Sequence, residues 1–157
     1  MTALIDLGLA CLVEGDAARA TALFEEALAG ARRLGDRGKE ADARNSLAQA
    51  ALFAGRPKEA LDILGPATAL AREVGDRYAE KVAFDRLAHA HRELGDHARA
   101  LGHFERALTM ARDLGDRGHE AVLSWHASIQ NAELGRAGPA IARGQAAVDL
   151  LHLLNQP

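Results

Sequence analysis

Histidine is the residue type in this sequence that most readily suggests metal chemistry, because the chain has seven of them. His119 and His126 are seven residues apart, and Asp85 and His89 are four apart; both spacings place side chains on one helix face. A glutamate follows His119 as in zinc-protease motifs, but Leu123 stands where the second histidine belongs. No local spacing completes a set of three or four ligands, so the sequence predicts no metal site.

Cys11, the one cysteine, is a candidate nucleophile. It falls in an apolar helical stretch, where a buried and unreactive thiol is expected. No glycine-rich loop ends in Lys-Ser or Lys-Thr, and no Gly-x-Ser-x-Gly segment occurs, so phosphate-loop and hydrolase motifs are absent. Because no acid–base or nucleophile set converges, we expect no enzyme and no cofactor, and an enzyme on a repeat scaffold is the least favoured class.

Net charge and hydropathy limit the classes of partner that the chain is expected to bind. The net charge is −3 and no run of Lys or Arg occurs, whereas a nucleic-acid binder needs a basic stripe. No apolar run approaches the roughly 20 residues of a membrane-spanning helix. No basic region follows Met1, as a signal peptide would require. We therefore expect no nucleic-acid partner, no membrane partner and a cytoplasmic location.

Glycine reveals an internal repeat. Seven of the fifteen glycines recur every twenty residues: Gly15, Gly35, Gly55, Gly75, Gly95, Gly115 and Gly135. A glycine after a leucine-rich stretch supplies the left-handed residue that ends a helix. Five aspartates follow directly and suit the next helix N-terminus: Asp16, Asp36, Asp76, Asp96 and Asp116. Two alternating glycine contexts give a period of forty residues, and we expect one domain over 1–157 with repeats at 1–36, 37–76, 77–116 and 117–157.

Apolar residues between the glycines recur at spacings of three and four, which predicts one apolar stripe per helix and four helix–turn–helix pairs. The clearest copies are Ala20, Phe24 and Ala27, and Ala100, Phe104 and Ala107. The fourth copy has Ser128, Asn131 and Gly144 in these packing positions, so we expect looser packing there. Pro66 falls inside a predicted helix and should kink it.

This pattern resembles the tetratricopeptide repeat in its 40-residue variety, and is similar to arrays in kinesin light chains and bacterial regulators. The resemblance rests on Leu7-Gly8, Ala20, Phe24 and Ala27 with their counterparts forty and eighty residues later, and it covers the whole chain. It implies an all-α fold, an α-solenoid of four helix–turn–helix repeats in a right-handed superhelix. It further implies a protein–protein interaction scaffold or regulatory module that binds a protein or peptide. The alternative is a small-molecule or peptide effector sensor of a bacterial regulator.

The resemblance implies a concave groove lined by the first helix of every pair. Carried over by position, the groove residues are Asn45, Gln49, Phe53, Asp85, His89, Arg92, Trp125 and Ile129, with Ile5, Leu9, Leu12 and Val13 in the first copy. Some relatives grip a terminal carboxylate there; Asn45 and Arg86 match two of those positions, but Ile5, Leu9 and Val82 occupy others, so we expect no such clamp. Trp125 is either a groove anchor or a packing residue.

Leucines crowd the end of the last predicted helix at positions 150, 151, 153 and 154. Leu153 stands where earlier copies have Arg33, Glu73 and Asp113, and solenoids normally end in a polar capping helix. An exposed apolar patch usually marks an interface. We therefore expect a homo-oligomer, or docking to another chain, through Leu150, Leu151, Leu153 and Leu154. The alternative is that Leu150 and Leu153 fold back onto the fourth pair.

Overall fold

The computed structural model describes residues 2–155, and within that range every regular element is an α-helix. The eight helices are α1 (Thr2–Val13), α2 (Ala17–Leu34), α3 (Arg37–Phe53), α4 (Pro57–Glu73), α5 (Arg77–Glu93), α6 (His97–Asp113), α7 (Arg117–Glu133) and α8 (Ala137–Leu154). They form two compact units, the first ending at Arg86 and the second beginning at Leu87. No described helix is long and apolar enough to cross a membrane.

The helix ends lie where the glycine period predicts them. All seven periodic glycines have a positive φ, from 66° at Gly35 to 84° at Gly15, and this backbone conformation favours glycine because it has no Cβ. Each of the five aspartates accepts a hydrogen bond from the backbone N–H three residues on, as in Asp16 from Arg19 at 2.9 Å. Pro57 is the first residue of α4, and α4 continues through Pro66.

In the first unit the helices approach closely because small residues face large ones. A Cβ at Gly8 would overlap the ring of Phe24, whose Cζ would lie 2.8 Å away. Phe24, Cys11 and Leu12 belong to one buried cluster. The sequence-based assignment of Leu12 to the groove is therefore wrong: it is 3% exposed and packs in the core, because the apolar stripe of α1 is wider than one groove position per turn.

The second unit is well packed around α6 and loosely packed at α8. Phe104 and Leu108 of α6 are buried, whereas Ala147 is the one fully buried residue in the described part of α8. Two packing positions of α7 are polar and bond to their own helix: Ser128 Oγ donates to Trp125 O at 2.8 Å, and Asn131 Nδ2 donates to Ala127 O at 2.9 Å. Small polar residues fill these slots with less apolar contact than leucine or phenylalanine would provide.

Candidate functional site

The first unit contains a cavity of about 220 Å³ on the face predicted for the groove. Its walls come from three first helices: Ile5 of α1, Asn45 of α3, and Val82 and Arg86 of α5. The first helices α1 and α3 contact each other, and α2 packs against both. The cavity therefore combines aliphatic side chains with several polar ones, which also include Lys39, Asp42 and Ser46.

Arg86 is one of two cations that line this cavity; the other is Lys39, whose Nζ pairs with Asp42 Oδ2 at 3.2 Å. Arg86 Nη2 donates to Oε1 of Gln49 at 2.7 Å. Burial lowers the pKa of Arg86, and the nearby charges of Asp85 and Tyr78 raise the pKa without offsetting that effect. An arginine stays protonated in proteins, so a positive charge is held here with a neutral amide as its hydrogen-bond acceptor. Its buried Nε has no hydrogen-bond partner among the described residues.

Asn45 was predicted to contact a groove ligand, and the structure gives it a supporting position as well. It is 4% exposed, and its Nδ2 donates to Ala79 O at 3.1 Å, which ties α3 to α5. Since the carbonyl of Ala79 can only accept, the amide nitrogen must face it, and Oδ1 points elsewhere. Oδ1 has no hydrogen-bond partner within the described range. Both atoms without a hydrogen-bond partner, Asn45 Oδ1 and Arg86 Nε, are buried from solvent, so neither is an open contact point of the cavity.

Exposed aromatic rings border the first-helix face of this unit. Phe53, a predicted groove residue, is 63% exposed at the end of α3. Tyr78 is 55% exposed, lines the cavity, and was missed by the sequence analysis. Lys81 Nζ lies 4.3 Å from the centroid of the Tyr78 ring, and this cation–π contact helps hold the tyrosine in place. An aromatic residue in the first turn of a first helix was the signal that could have identified it.

In the second unit, His89 packs into an aromatic cluster. Its ring centroid lies 4.8 Å from that of His126 and 5.2 Å from that of Phe104, and Phe104 and His126 are 5.1 Å apart. Local spacing could not reveal the meeting of His89 and His126, because they belong to α5 and α7. Both histidines are partly buried, so they form the floor of this face.

Trp125 lies on the outer part of that face. It is 51% exposed, so half of its surface is not packed against a neighbouring helix. Val122, one turn earlier on α7, is 45% exposed, and Ile129, one turn later, is partly buried. Together these three side chains form an apolar stripe along α7. Arg92 is also partly exposed.

Two further histidines form a stacked pair away from the predicted groove positions. The rings of His91 and His103 are 5.3 Å apart and nearly parallel, with an interplanar angle of 12°. Burial is the largest cause lowering the pKa of both residues, and for His103 the neighbouring His91, Arg106 and Arg99 lower the pKa further while Asp96 raises it. His91 therefore packs against a side chain of the neighbouring helix α6.

The four leucines of α8 do not share one environment. Leu150 is partly buried and Leu153 is 60% exposed, and both line a cleft of about 520 Å³ in the second unit. Leu151 and Leu154 are 43% and 45% exposed and do not line that cleft.

Comparison with known proteins identifies the repeat. Two profiles described as tetratricopeptide repeat match the chain, over residues 1–73 and 83–118. A sequence search of curated proteins finds no match. BtubC (BKLC) from P. vanneervenii is similar in structure, with a TM-score of 0.85 at 18% identity over 98% of this chain and 64% of that one.

Two other solved structures are similar. A Rap protein complexed with competence and sporulation factor has a TM-score of 0.87 at 16% identity, over 94% of this chain and 41% of that one. A putative kinesin light chain of Podosopora anserina with TPR-like repeats has a TM-score of 0.81 at 14% identity, over 99% and 76%. The chain thus spans less than two thirds of the BtubC and Rap chains.

At these identities the structural likeness shows an α-solenoid fold. The family comes from the profile matches, which together cover more than half of the sequence, and from the forty-residue helix pairs that agree with them. The chain belongs to the tetratricopeptide repeat family, whose members are typically non-enzymatic scaffolds for protein–protein interaction.

Proposed function

We propose that the first helices of this chain bind a segment of a partner protein, and that the cavity of the first unit receives one side chain of that segment. The observation that supports this proposal is the cavity itself, which lies between α1, α3 and α5. It offers an aliphatic surface at Ile5 and Val82 beside the polar groups of Asn45 and Arg86. Such a mixture of apolar lining and a few placed polar groups is characteristic of binding sites.

The size of the cavity favours a peptide side chain over a free metabolite. Ligand pockets usually enclose roughly 300–1,000 Å³, and this cavity has about 220 Å³. A side chain that inserts here would contact the aliphatic groups of Ile5 and Val82 beside the polar side chains of Ser46 and Tyr78.

The eight predicted groove residues then divide between the two units. Four lie in the first unit and four in the second: Asn45, Gln49, Phe53 and Asp85, and His89, Arg92, Trp125 and Ile129. In the second unit Trp125 is the expected anchor, because exposed tryptophan is enriched among residues that dominate binding energy. Its neighbours Val122 and Ile129 would exclude water around it.

The second candidate function is an effector sensor in a bacterial regulator, with a peptide or a small molecule as the effector. Its support is the likeness to a Rap protein that was solved with competence and sporulation factor. Thermal unfolding in the presence of metabolites and of peptides separates the candidates, because a ligand of the native state raises the melting temperature by mass action. Stabilisation by a metabolite alone would favour the sensor.

Selection from a displayed peptide library tests the principal proposal. Peptides enriched on the wild-type chain are measured against Phe53→Ala and Trp125→Ala, with Leu114→Ala as control. Leu114 is 43% exposed, similar to Trp125, but lies at the end of α6, a second helix. We expect at least one groove variant to lose tenfold or more in affinity and the control to be unchanged. Equal affinity for all three variants would refute binding by the first helices.

A further inference from the structure

One helix pair is closed by an ion pair that another helix pair lacks. Arg37, the first residue of α3, donates to Glu73, the last residue of α4, at 2.6 Å. Eighty residues later the corresponding positions are Arg117, the first residue of α7, and Leu153 near the end of α8. The fourth pair therefore keeps the cation and replaces its carboxylate with an aliphatic side chain.

The carboxylates near Arg117 have other hydrogen-bond partners. Glu120 accepts from Arg112 at 2.7 Å, and Asp149 accepts from the neutral amide of Gln145 at 2.8 Å. Within residues 2–155, no carboxylate forms an ion pair with Arg117. Arg117 thus presents an exposed guanidinium, and Asp149 presents an exposed carboxylate with no cation of its own.

Both groups line the cleft of about 520 Å³, together with Leu150 and Leu153. The surface therefore carries a cation, a carboxylate and an aliphatic patch close together. A surface that contains both members of a complementary set can pair with a copy of itself about a two-fold axis. Arg112 and Glu120, which pair with each other at 2.7 Å, also line the cleft. Two cations beside two carboxylates argue against a polyanion as occupant, because Glu120 and Asp149 would repel phosphates.

We propose that this cleft is a homodimer interface, in which Arg117 of each copy pairs with Asp149 of the other and Leu150 and Leu153 pack across the two-fold axis. The contact goes beyond the proposed binding by the first helices, since it lies on the α6–α7 junction and α8. It also specifies which residues form the oligomer contact that was predicted from the sequence. The interface uses two of the four leucines and two charged residues that the leucine pattern did not reveal.

The dimer should be weak and reversible. The aliphatic area at its centre is small, and interfaces below roughly 1,200 Å² are typical of transient contacts. Exposed ion pairs add about 0–1 kcal/mol each, so their larger effect is to fix which surfaces meet. Association is therefore expected to depend on both chain concentration and ionic strength.

A charge-swap experiment on the full chain tests the interface, with sedimentation equilibrium as the measurement and circular dichroism as the check on folding. The average molecular mass of the wild type should rise from that of a monomer toward that of a dimer as the protein concentration increases. Arg117→Asp and Asp149→Arg should each weaken self-association at least tenfold, because each creates two like-charge contacts. An equimolar mixture of these variants should recover dimer mass, since the heterodimer restores both opposite-charge pairs.

Control variants identify the face that is used. Arg33→Asp changes an exposed arginine of α2 in the first unit and should leave the association constant unchanged. Leu153→Glu should abolish the dimer, and Leu151→Glu should preserve it. The proposal is overturned if the wild type stays monomeric at millimolar concentration, or if the folded charge variants associate as strongly as the wild type. It is also overturned if the mixture of the two charge variants fails to recover dimer mass, or if Leu151→Glu disrupts the dimer instead of Leu153→Glu.

Discussion

Arg86 of α5 and Gln49 of α3 are joined by a hydrogen bond of 2.7 Å across 37 residues of sequence. The bond supplies the buried guanidinium with its acceptor and connects two neighbouring first helices at the cavity. The bond illustrates how helix stacking brings together polar groups that lie far apart in the sequence.

Removal of that acceptor should destabilise the first unit. Gln49→Ala leaves the Arg86 guanidinium without its hydrogen-bond acceptor, and an unsatisfied buried polar group costs about 1–3 kcal/mol. Urea unfolding of dilute protein measures the loss. Gln145→Ala, which alters an exposed glutamine of α8, is the control and should change the unfolding free energy by no more than about 0.5 kcal/mol. Similar values for both variants would contradict a supporting role for the Gln49–Arg86 bond.

Leu153→Glu should be tolerated by the monomer although it replaces an apolar residue. The new carboxylate occupies the position from which Glu73 pairs with Arg37 at 2.6 Å, so it can pair with Arg117. An exposed ion pair contributes about 0–1 kcal/mol, and the lost leucine is 60% exposed. Unfolding of dilute protein should give an equal or slightly higher midpoint. A loss above about 1 kcal/mol would mean that Leu153 is a core residue of the fourth pair.

Two glycines of the second unit should respond oppositely to alanine. Gly95 has a φ of 76°, a left-handed conformation that costs an alanine about 1–2 kcal/mol. Gly102 lies within α6 with open space around the position of a Cβ, so alanine there should stabilise by about 0.5–1 kcal/mol. Thermal unfolding compares them directly. If Gly95→Ala were neutral, the helix stop would not depend on that conformation.

Acid should destabilise the second unit through the stacked histidines. Burial lowers the pKa of His91 and His103 below the ordinary value of 6.5. As the pH falls through about 6.5, the unfolded chain takes up protons that the folded chain does not, so stability declines until the pH passes the lowered folded-state pKa values. Stability measured from pH 8 to pH 5 should fall less steeply for His103→Gln than for wild type.

The control for this pH dependence is His152→Gln, which alters an exposed histidine of α8. Its unfolding free energy should follow the wild-type pH profile. A His103→Gln profile that coincides with both would assign the acid sensitivity to other groups.

Much of the fold could be predicted because it is set by local rules. A left-handed glycine ends a helix and an aspartate begins the next, so the boundaries followed from Gly35, Asp36 and their counterparts. The apolar stripe identified Phe24 and Phe104 as core residues, and both are 0% exposed.

The candidate sites were predictable only in outline, because contacts between helices depend on how neighbouring pairs stack. The face containing Asn45 and Gln49 was expected from the family resemblance, carried over by position, but the bonds that join Asn45 to Ala79 and Gln49 to Arg86 were not. The His89–His126 contact likewise joins α5 to α7. Burial of Leu12 was missed because periodicity alone does not give the width of a buried stripe.

Nuclear magnetic resonance mapping of a selected peptide on the wild-type chain tests the central claim most directly. We expect the largest shift changes on the first helices, at Gln49, Tyr78 or Arg86 in the first unit or at Trp125 and Ile129 in the second. Amides of the second helices α2, α4 and α6 should change little. Shift changes confined to those second helices, with the Trp125 indole and the Gln49 amide unaffected, would contradict the proposal that first helices bind the partner.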